Sequence, residues 1–532
     1  MEFKAAYLKT FGKHTLDATF VYTQRKGFSE FVSAGRKNYI STSMDQLFAG
    51  SVDGLTNDGS AAESASMGYV GRLKYDYLSK YIIEFSGRYD GNDNFHPDKR
   101  WGFFPAVSAV WMISDENFMQ KLNDKNILNS LKLRASYGET GISDGVTRFG
   151  YMALYNQGAM KEYYNAGNIL NVTFSEGNLV NPLALTWYTR KSFNVGFDFA
   201  SLNNRLEGSL DYFYYKTSGY LMSPNNIYAT TLGKPLPEIT SGSKHRRAGF
   251  ELNLRYKEKR GNWYYEIGGN ISYYNQLWEQ LDSEDLATLK NPYTRQTHEK
   301  DYFYSMYLSD GLFQNKEQIL NSPRPLPSTE TSMGDIKYID ANGDGKIDSN
   351  DMRRVGQPSM PHLNYGFDFR VEYKGWSLSA LFQGTGDRYI AMGQQMQRGD
   401  YASVITKFQA DYWTPENTDA RFPRVTKAGY PNGENNALVT DFFNMNAKYF
   451  RLKNLQISYN LKRDLLKNCN FIQGCRITLS GTNLFTVSDV LDFTDPEAKM
   501  IEPDKIEKNL RSISGASYPV FRTYSLGLNV EF

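Results

Sequence analysis

Along residues 522–532, apolar and polar side chains alternate without a break. Tyr524, Leu526, Leu528, Val530 and Phe532 fall on one face of a strand; Thr523, Ser525, Gly527, Asn529 and Glu531 fall on the other. Successive strand residues point to opposite sides, so this strand has one apolar and one wet face. The apolar run ends on an aromatic, where a soluble domain usually frays. The pattern recurs upstream in about fifteen candidate strands. Tyr69, Gly71, Leu73, Tyr75 and Tyr77 alternate with Val70, Arg72, Lys74 and Asp76. Tyr81, Ile83, Phe85 and Tyr89 alternate with Glu84, Ser86, Arg88 and Asp90. Comparable runs are Phe193/Val195/Phe197/Phe199, Phe250/Leu252/Leu254/Tyr256, Trp263/Tyr265/Ile267/Ile271, Leu363 through Tyr373, and Trp376/Leu378/Ala380/Phe382. One such strand suits a soluble sandwich. A dozen or more, each with a charged second face, would leave a sandwich with two large polar faces and no use for so many outward tyrosines. The pattern predicts an all-β protein, a transmembrane antiparallel β-barrel.

The connections alternate in length. Short ones are expected near 11–12, 79–80, 114–129, 201–204, 257–261, 374–375 and 463–473. Long ones fill 25–67, 139–189, 218–245, 275–362, 385–447 and 489–517. Two fit less cleanly, 92–100 being brief for the long side and 114–129 extended for the short side. Outer-membrane barrels have short periplasmic turns and long external loops. Counted back from Phe532, every long loop lands outside and the C-terminus is periplasmic. Loops of this length are usually functional or disordered, and these are expected to fold into caps over the barrel mouth.

Composition narrows the class. No run of ~18 apolar residues is present, which excludes helical membrane spans, while 39 Tyr and 33 Phe in a polar chain suit strands that are only half apolar. A net charge of +2 gives no basis for a nucleic-acid partner. The two cysteines, Cys469 and Cys475, make no disulfide framework, and a bridge between them is the less favoured reading because its geometry is demanding. Residues 1–8 read as a strand with no export signal before them, so the chain is expected to be the C-terminal part of something longer.

One segment is chemically specific. Residues 334–351 contain Asp340-Ala-Asn342-Gly-Asp344-Gly345-Lys346-Ile-Asp348-Ser-Asn-Asp351, which fits the calcium-loop template. Asp340, Asn342 and Asp344 take the early ligand positions, the Lys346 carbonyl supplies the backbone ligand, and Asp348 and Asp351 close a shell of hard oxygen donors. Position twelve is Asp rather than Glu, which shortens the closure, and the flanks do not read as paired helices. The competing reading is a turn cluster whose carboxylates are merely solvated. A structural Ca²⁺ is the favoured one.

No catalytic set emerges. The five histidines are scattered without metal-ligand spacing, and neither a nucleophile elbow nor a phosphate loop is present. The chain reads as a non-enzyme. Loop aromatics such as Trp187, Tyr188, Tyr302, Tyr304, Tyr307 and Trp413 have two readings, stacking on a sugar or peptide ligand and loop packing.

At several blocks the chain closely resembles the SusC/RagA-like family of TonB-dependent outer-membrane transporters. These are Arg100-Trp-Gly-Phe-Phe-Pro-Ala-Val-Ser-Ala-Val-Trp111, Leu131-Lys-Leu-Arg-Ala-Ser-Tyr-Gly138, residues 334–351, Trp413-Thr-Pro-Glu-Asn417, Ser480-Gly-Thr-Asn-Leu-Phe485 and residues 522–532. The resemblance implies a 22-stranded barrel closed by an N-terminal plug and energised by TonB, working beneath a SusD-like surface lipoprotein. It implies uptake of oligosaccharides or peptides. The plug, the TonB box and the first ~7 strands of such a barrel have no counterpart here. The chain is therefore expected to be a fragment, one half of a split protein or a truncated frame. Two functions compete: a component of a nutrient importer, and a surface ligand-binding relic that does not transport.

Overall fold

The computed structural model describes residues 1–41, 43–44, 46–146, 148–153, 155–165, 168–176, 182–222, 239–300, 303–323, 330–356, 358, 360–392, 410–425, 435–466, 471–497, 512–513 and 520–532. Fifteen strands form one sheet: β1 (Glu2–Phe11), β2 (His14–Gly35), β3 (Thr56–Tyr77), β4 (Tyr81–Asn92), β5 (Trp101–Met112), β6 (Leu128–Ile142), β7 (Tyr188–Ser201), β8 (Leu206–Ser218), β9 (Lys244–Arg260), β10 (Trp263–Gln280), β11 (Leu363–Tyr373), β12 (Trp376–Thr385), β13 (Tyr449–Asn460), β14 (Gly474–Val487) and β15 (Thr523–Glu531). Each strand neighbours the next in the chain, so the topology is a pure meander, and the sheet order runs from β1 to β15 without closing on itself. No helix among the described residues is long and apolar enough to cross a membrane.

The alternation places aromatic and aliphatic side chains on an exposed face. Phe85 is 56 % exposed, and Leu73, Phe193, Phe250, Ile267 and Phe367 are likewise exposed. Register keeps like with like. In the last pair Leu526 faces Leu479 and Leu528 faces Ile477, whereas Asn529 faces Arg476. A one-residue slip would turn every apolar side chain to the polar side, so the two-sided pattern fixes the pairing.

The turns follow the expected short set. Tyr373 pairs with Trp376 around Lys374–Gly375, both at positive φ (43° and 88°), the two-residue hairpin turn whose twist matches the strands and for which Gly is the natural second residue. The 114–129 connection carries three turns of helix, ending in Gln120–Asp124. The 25–67 loop is shorter than expected. β2 and β3 stay paired from His14↔Tyr77 to Gly35↔Thr56, leaving 36–55 as the loop. Backbone pairing needs no apolar face, so the ladder outruns the dyad pattern from which the loop was read.

The chain divides into two compact units. One comprises Met1–Trp111, Ala135–Phe193 and Lys216–Lys244. Within it Phe95, Tyr151 and Leu185 are buried together beside Trp187, and an aromatic row runs Tyr22–Tyr69–Trp101–Tyr89, with ring centroids 5.2, 6.2 and 4.8 Å apart. Phe104 is buried over Gly102 and Gly141, where any Cβ would collide with its ring. The other unit comprises Met112–Arg134, Asn194–Tyr215 and His245–Phe532. Its apolar core lies in the long connections rather than under the sheet, and includes Tyr307, Ile336, Tyr338, Ile390, Phe443 and Val490. Short paired segments organise those connections: Phe303–Met306 with Arg353–Gly356, Ser309–Leu312 with Ile336–Tyr338, and Tyr389–Met392 between Asn444–Asn446 and Ser512–Ile513. The expectation that the long loops fold is met in this core.

Candidate functional site

The polar face of β6 through β11 carries a chain of paired charges. On β6, Lys132 Nζ lies 2.5 Å from Asp198 of β7, and Arg134 bridges Asp198 (2.6 Å) and Asp211 of β8 (2.8 Å). On β9, Arg255 contacts Glu266 of β10 and Asp368 of β11, the latter at 3.2 Å, and Lys257 reaches Glu207 of β8 at 2.5 Å. Adjacent strands bring i-and-partner side chains within about 5 Å on one face, which is what lets these residues meet. Lys132, Asp198, Glu207, Arg255 and Asp368, with Asn253, line an open groove of about 470 Å³. Four cations meet five carboxylates, so the charges nearly cancel. The result is a wettable wall rich in donors and acceptors and without strong net charge. Sequence reading saw only that these off-face positions were charged.

The loop core is fastened by a buried polar group. Asp335 has no exposed surface; its carboxylate lies 2.6 Å from Arg424 Nε in an ion pair and accepts hydrogen bonds from Arg424 Nη2 at 3.0 Å, Asn436 Nδ2 at 2.8 Å and the Ser332 amide at 2.8 Å. Burial pushes its carboxyl above the ordinary range, and Arg424 offsets this only in part. Asn436 Oδ1 accepts the Ile336 amide, and the Tyr338 hydroxyl donates to the Asn435 carbonyl at 2.6 Å. Burial also drives the Tyr338 phenol well above its usual value.

A second fastening ties β13 to the 489–517 connection. Arg451, 1 % exposed, contacts Glu497 and Asp495, the latter at 2.5 Å, and donates to Thr486 at 2.8 Å. Lys453 stands at a bulge, skipped by the register between Leu452 and Asn454, and its ammonium reaches Glu497 at 2.6 Å. Burial opposes the charge on Glu497, yet Lys453, Tyr449 and Arg451 together hold it below the ordinary carboxylate range.

The calcium-loop residues fold as a tight turn set. Asp340 Oδ1 accepts the Gly343 and Asp344 amides and Oδ2 the Gly345 amide; Asn342 Oδ1 accepts the Asp344 amide; Asp344 Oδ1 accepts the Lys346 amide. Asp348 caps the 3₁₀ turn Ser349–Asp351 through the Asn350 amide. Asp351, fully buried, accepts Ala341 and Asn342 amides on Oδ1 and the Asp348 amide on Oδ2. Desolvation works against the Asp340 charge, but the Gly345, Gly343 and Asp344 amides outweigh it and hold its carboxyl low. Among the described residues no three His, Cys, Asp or Glu side chains converge as a metal-ligating group. Asp351 acts as the organiser of the loop backbone.

Other singled-out residues pack. Trp187 packs tilted against Phe95 and edge-on to Phe104 and donates to the Arg100 carbonyl at 3.0 Å. Tyr307 and Trp413 are buried. Tyr302 and Cys469 lie outside the described residues, and Cys475 is a buried free thiol in β14.

The family model described as TonB dependent receptor-like, beta-barrel, matches residues 3–484. The chain belongs to this family. TonB-dependent receptors are outer-membrane transporters rather than enzymes, and the chain is SusC-like in sequence. It is 28 % identical to TonB-dependent receptor P3 of Formosa agariphila over 99 % of its own length and 51 % of that protein's. It is 26 % identical to TonB-dependent receptor SusC of Bacteroides thetaiotaomicron, over 89 % and 44 % respectively. The RagAB peptide transporter structure superposes with a TM-score of 0.73 at 20 % identity, covering 100 % of this chain and 55 % of that one; the shared fold is a TonB-dependent barrel. The chain thus spans about half the length of the relatives it matches.

Proposed function

We propose that this chain forms part of the wall of an outer-membrane nutrient importer that takes up oligosaccharides or peptides, powered through TonB and lidded by a SusD-like surface lipoprotein. The observation that carries the reading is the division of labour on single strands: an exposed aromatic and aliphatic face suited to lipid, and a charge-paired polar face suited to a hydrated conduit. Paired charges offer hydrogen bonds to sugar hydroxyls or peptide groups without trapping either sign of ion. On this reading the short turns and the C-terminus are periplasmic and the folded long connections face outward. The competing reading, a ligand-binding relic, is not favoured by family membership.

The same reading gives the 340–351 loop one structural divalent cation, most naturally Ca²⁺, with Asp340, Asn342, Asp344, Asp348, Asp351 and the Lys346 carbonyl as its candidate donors. Asp340 Oδ2, Asp344 Oδ1 and Asp351 Oδ2 each accept a single amide hydrogen, and a carboxylate oxygen has two lone pairs, so these atoms retain capacity for a hard cation.

Deleting the gene and supplying oligosaccharides or peptides as the sole carbon source tests transport: growth should fail on the cognate class and be restored by the intact gene. A surface lipoprotein should co-purify with the tagged protein. Unchanged growth on every glycan and peptide mixture would leave the transport reading without support.

A further inference from the structure

Three side chains of β13, Tyr449, Arg451 and Lys453, converge on one strap, residues 489–497. Arg451 pairs across the sheet with Gln383 of β12 and Thr486 of β14, and Gln383 pairs with Gly366 of β11. Gly366 and Asp368 share a strand face, so Arg451 stands on the same polar face as the Arg255–Asp368 pair. The strap lies on that face. Val490 is fully buried and Phe493 packs against the loop core. The next residues are gripped through polar groups. Arg451 reaches Asp495 and Glu497 together. Lys453 Nζ donates to both Glu497 oxygens, at 2.9 and 2.6 Å, and the Tyr449 hydroxyl donates to Oε1 at 2.9 Å. Arg388 donates to the Pro496 carbonyl. Asp495 Oδ1 accepts the Glu497 amide at 2.8 Å, a turn that brings both acids to Arg451.

We propose that Arg451, Lys453 and Tyr449 form a subsite for acidic peptide cargo, held here by the chain's own Asp495-Pro496-Glu497 as an internal competitor. The inference rests on the importer reading above. The present occupant selects the class. What the wall grips is two carboxylates two residues apart and the peptide carbonyl between them, and a cargo peptide of that pattern offers the same groups. A neutral oligosaccharide would leave Arg451, 1 % exposed, without a counter-charge, which a buried cation tolerates poorly. A tethered ligand competes at an effective concentration on the order of millimolar. Free peptide therefore exchanges with the strap instead of being shut out, and each exchange lifts the acidic turn from the polar face.

The test is calorimetric titration of the full chain in detergent with acetyl-Asp-Pro-Glu-amide, set against acetyl-Asn-Pro-Gln-amide and trigalacturonate. The strap variant Asp495→Asn/Glu497→Gln should bind the acidic peptide about tenfold more tightly than the parent, because the share of open sites rises. Adding Lys453→Gln should weaken that binding about tenfold, the loss of one charge-assisted contact. Lys448→Gln, an exposed change, should match the parent. No preference for the acidic over the neutral peptide, unchanged affinity in the strap variant, or tighter binding of trigalacturonate would each overturn the proposal. Should the strap variant not fold, hydrogen exchange in the parent decides. The acidic peptide should speed exchange at 489–497 and the neutral one should not; equal exchange with both would overturn the proposal. Transport is read separately: unchanged growth of the gene deletion counts against the importer reading, whereas a silent titration of a protein that does support growth on peptides counts against the subsite alone.

Discussion

Arg424 Nε lies 2.6 Å from Oδ1 of Asp335, a carboxylate without exposed surface, across 89 residues of sequence. A buried pair of this kind is costly to break from one side, because the survivor is left charged in the dry core. Arg424→Ala should therefore destabilise the loop core by about 3–5 kcal/mol, while a double change to well-packed apolar residues should cost far less. Limited proteolysis of the 275–362 and 385–447 connections should report the loss, and the sheet should stay protected.

Asp351 makes a comparable prediction for the acidic loop. Removing its side chain orphans the Ala341, Asn342 and Asp348 amides together, so Asp351→Ala should cost about 2–4 kcal/mol of local stability. The paired change Asp340→Ala and Asp344→Ala should abolish calcium binding. Titration calorimetry should show a calcium-dependent heat in the parent and none in the pair. A silent parent, with protease sensitivity indifferent to chelator, would leave a self-satisfied turn cluster.

The two carboxylates respond oppositely to acid. The Asp340 pKa is lowered, so its contribution is present above the ordinary value of 3.8 and is lost as pH falls through the folded value. The Asp335 pKa is raised, so its contribution is full below 3.8 and is lost as pH rises through the folded value. On acidification the 340–351 loop should open while the Asp335 core holds. Hydrogen exchange followed against pH should show that order, and Asp340→Asn should remove the acid step in the loop without touching the core.

For the last strand, labels replacing Leu526 and Leu528 should be quenched by lipid-attached probes and a label replacing Asn529 should not, since the first two face Leu479 and Ile477 and the third faces Arg476. Equal quenching at all three would contradict a lipid-facing apolar side.

The sheet was legible because a period of two, repeated through β3, β4, β10, β11 and β15, has no other structural meaning at that length. The site was less so. Arg134 and Asp198 are 64 residues apart and Arg255 and Asp368 are 113 apart, and only the order and register of the strands in the sheet bring them together. The paired segments of the loop core in the 275–362 connection are three or four residues long, as in Ile336–Tyr338, too short to show a period. Asp340 through Asp351 could be read as a template match, but the use of Asp351 as an acceptor for three amides depends on backbone closure that residue identity does not reveal.

β2 and β3 each run 22 residues in unbroken register. At about 3.3 Å per residue they extend roughly 70 Å, more than twice a bilayer's ~30 Å hydrocarbon thickness. Beyond the Tyr22–Tyr69–Trp101–Tyr89 row, the stretch from Arg25 to Gly35 and its partner strand form a mast. A hydrogen-bonded ribbon resists compression where a coil of equal length would wander. The 36–55 tip therefore rides at a set stand-off, and a push or pull applied there is delivered along the ladder to the wall of the sheet.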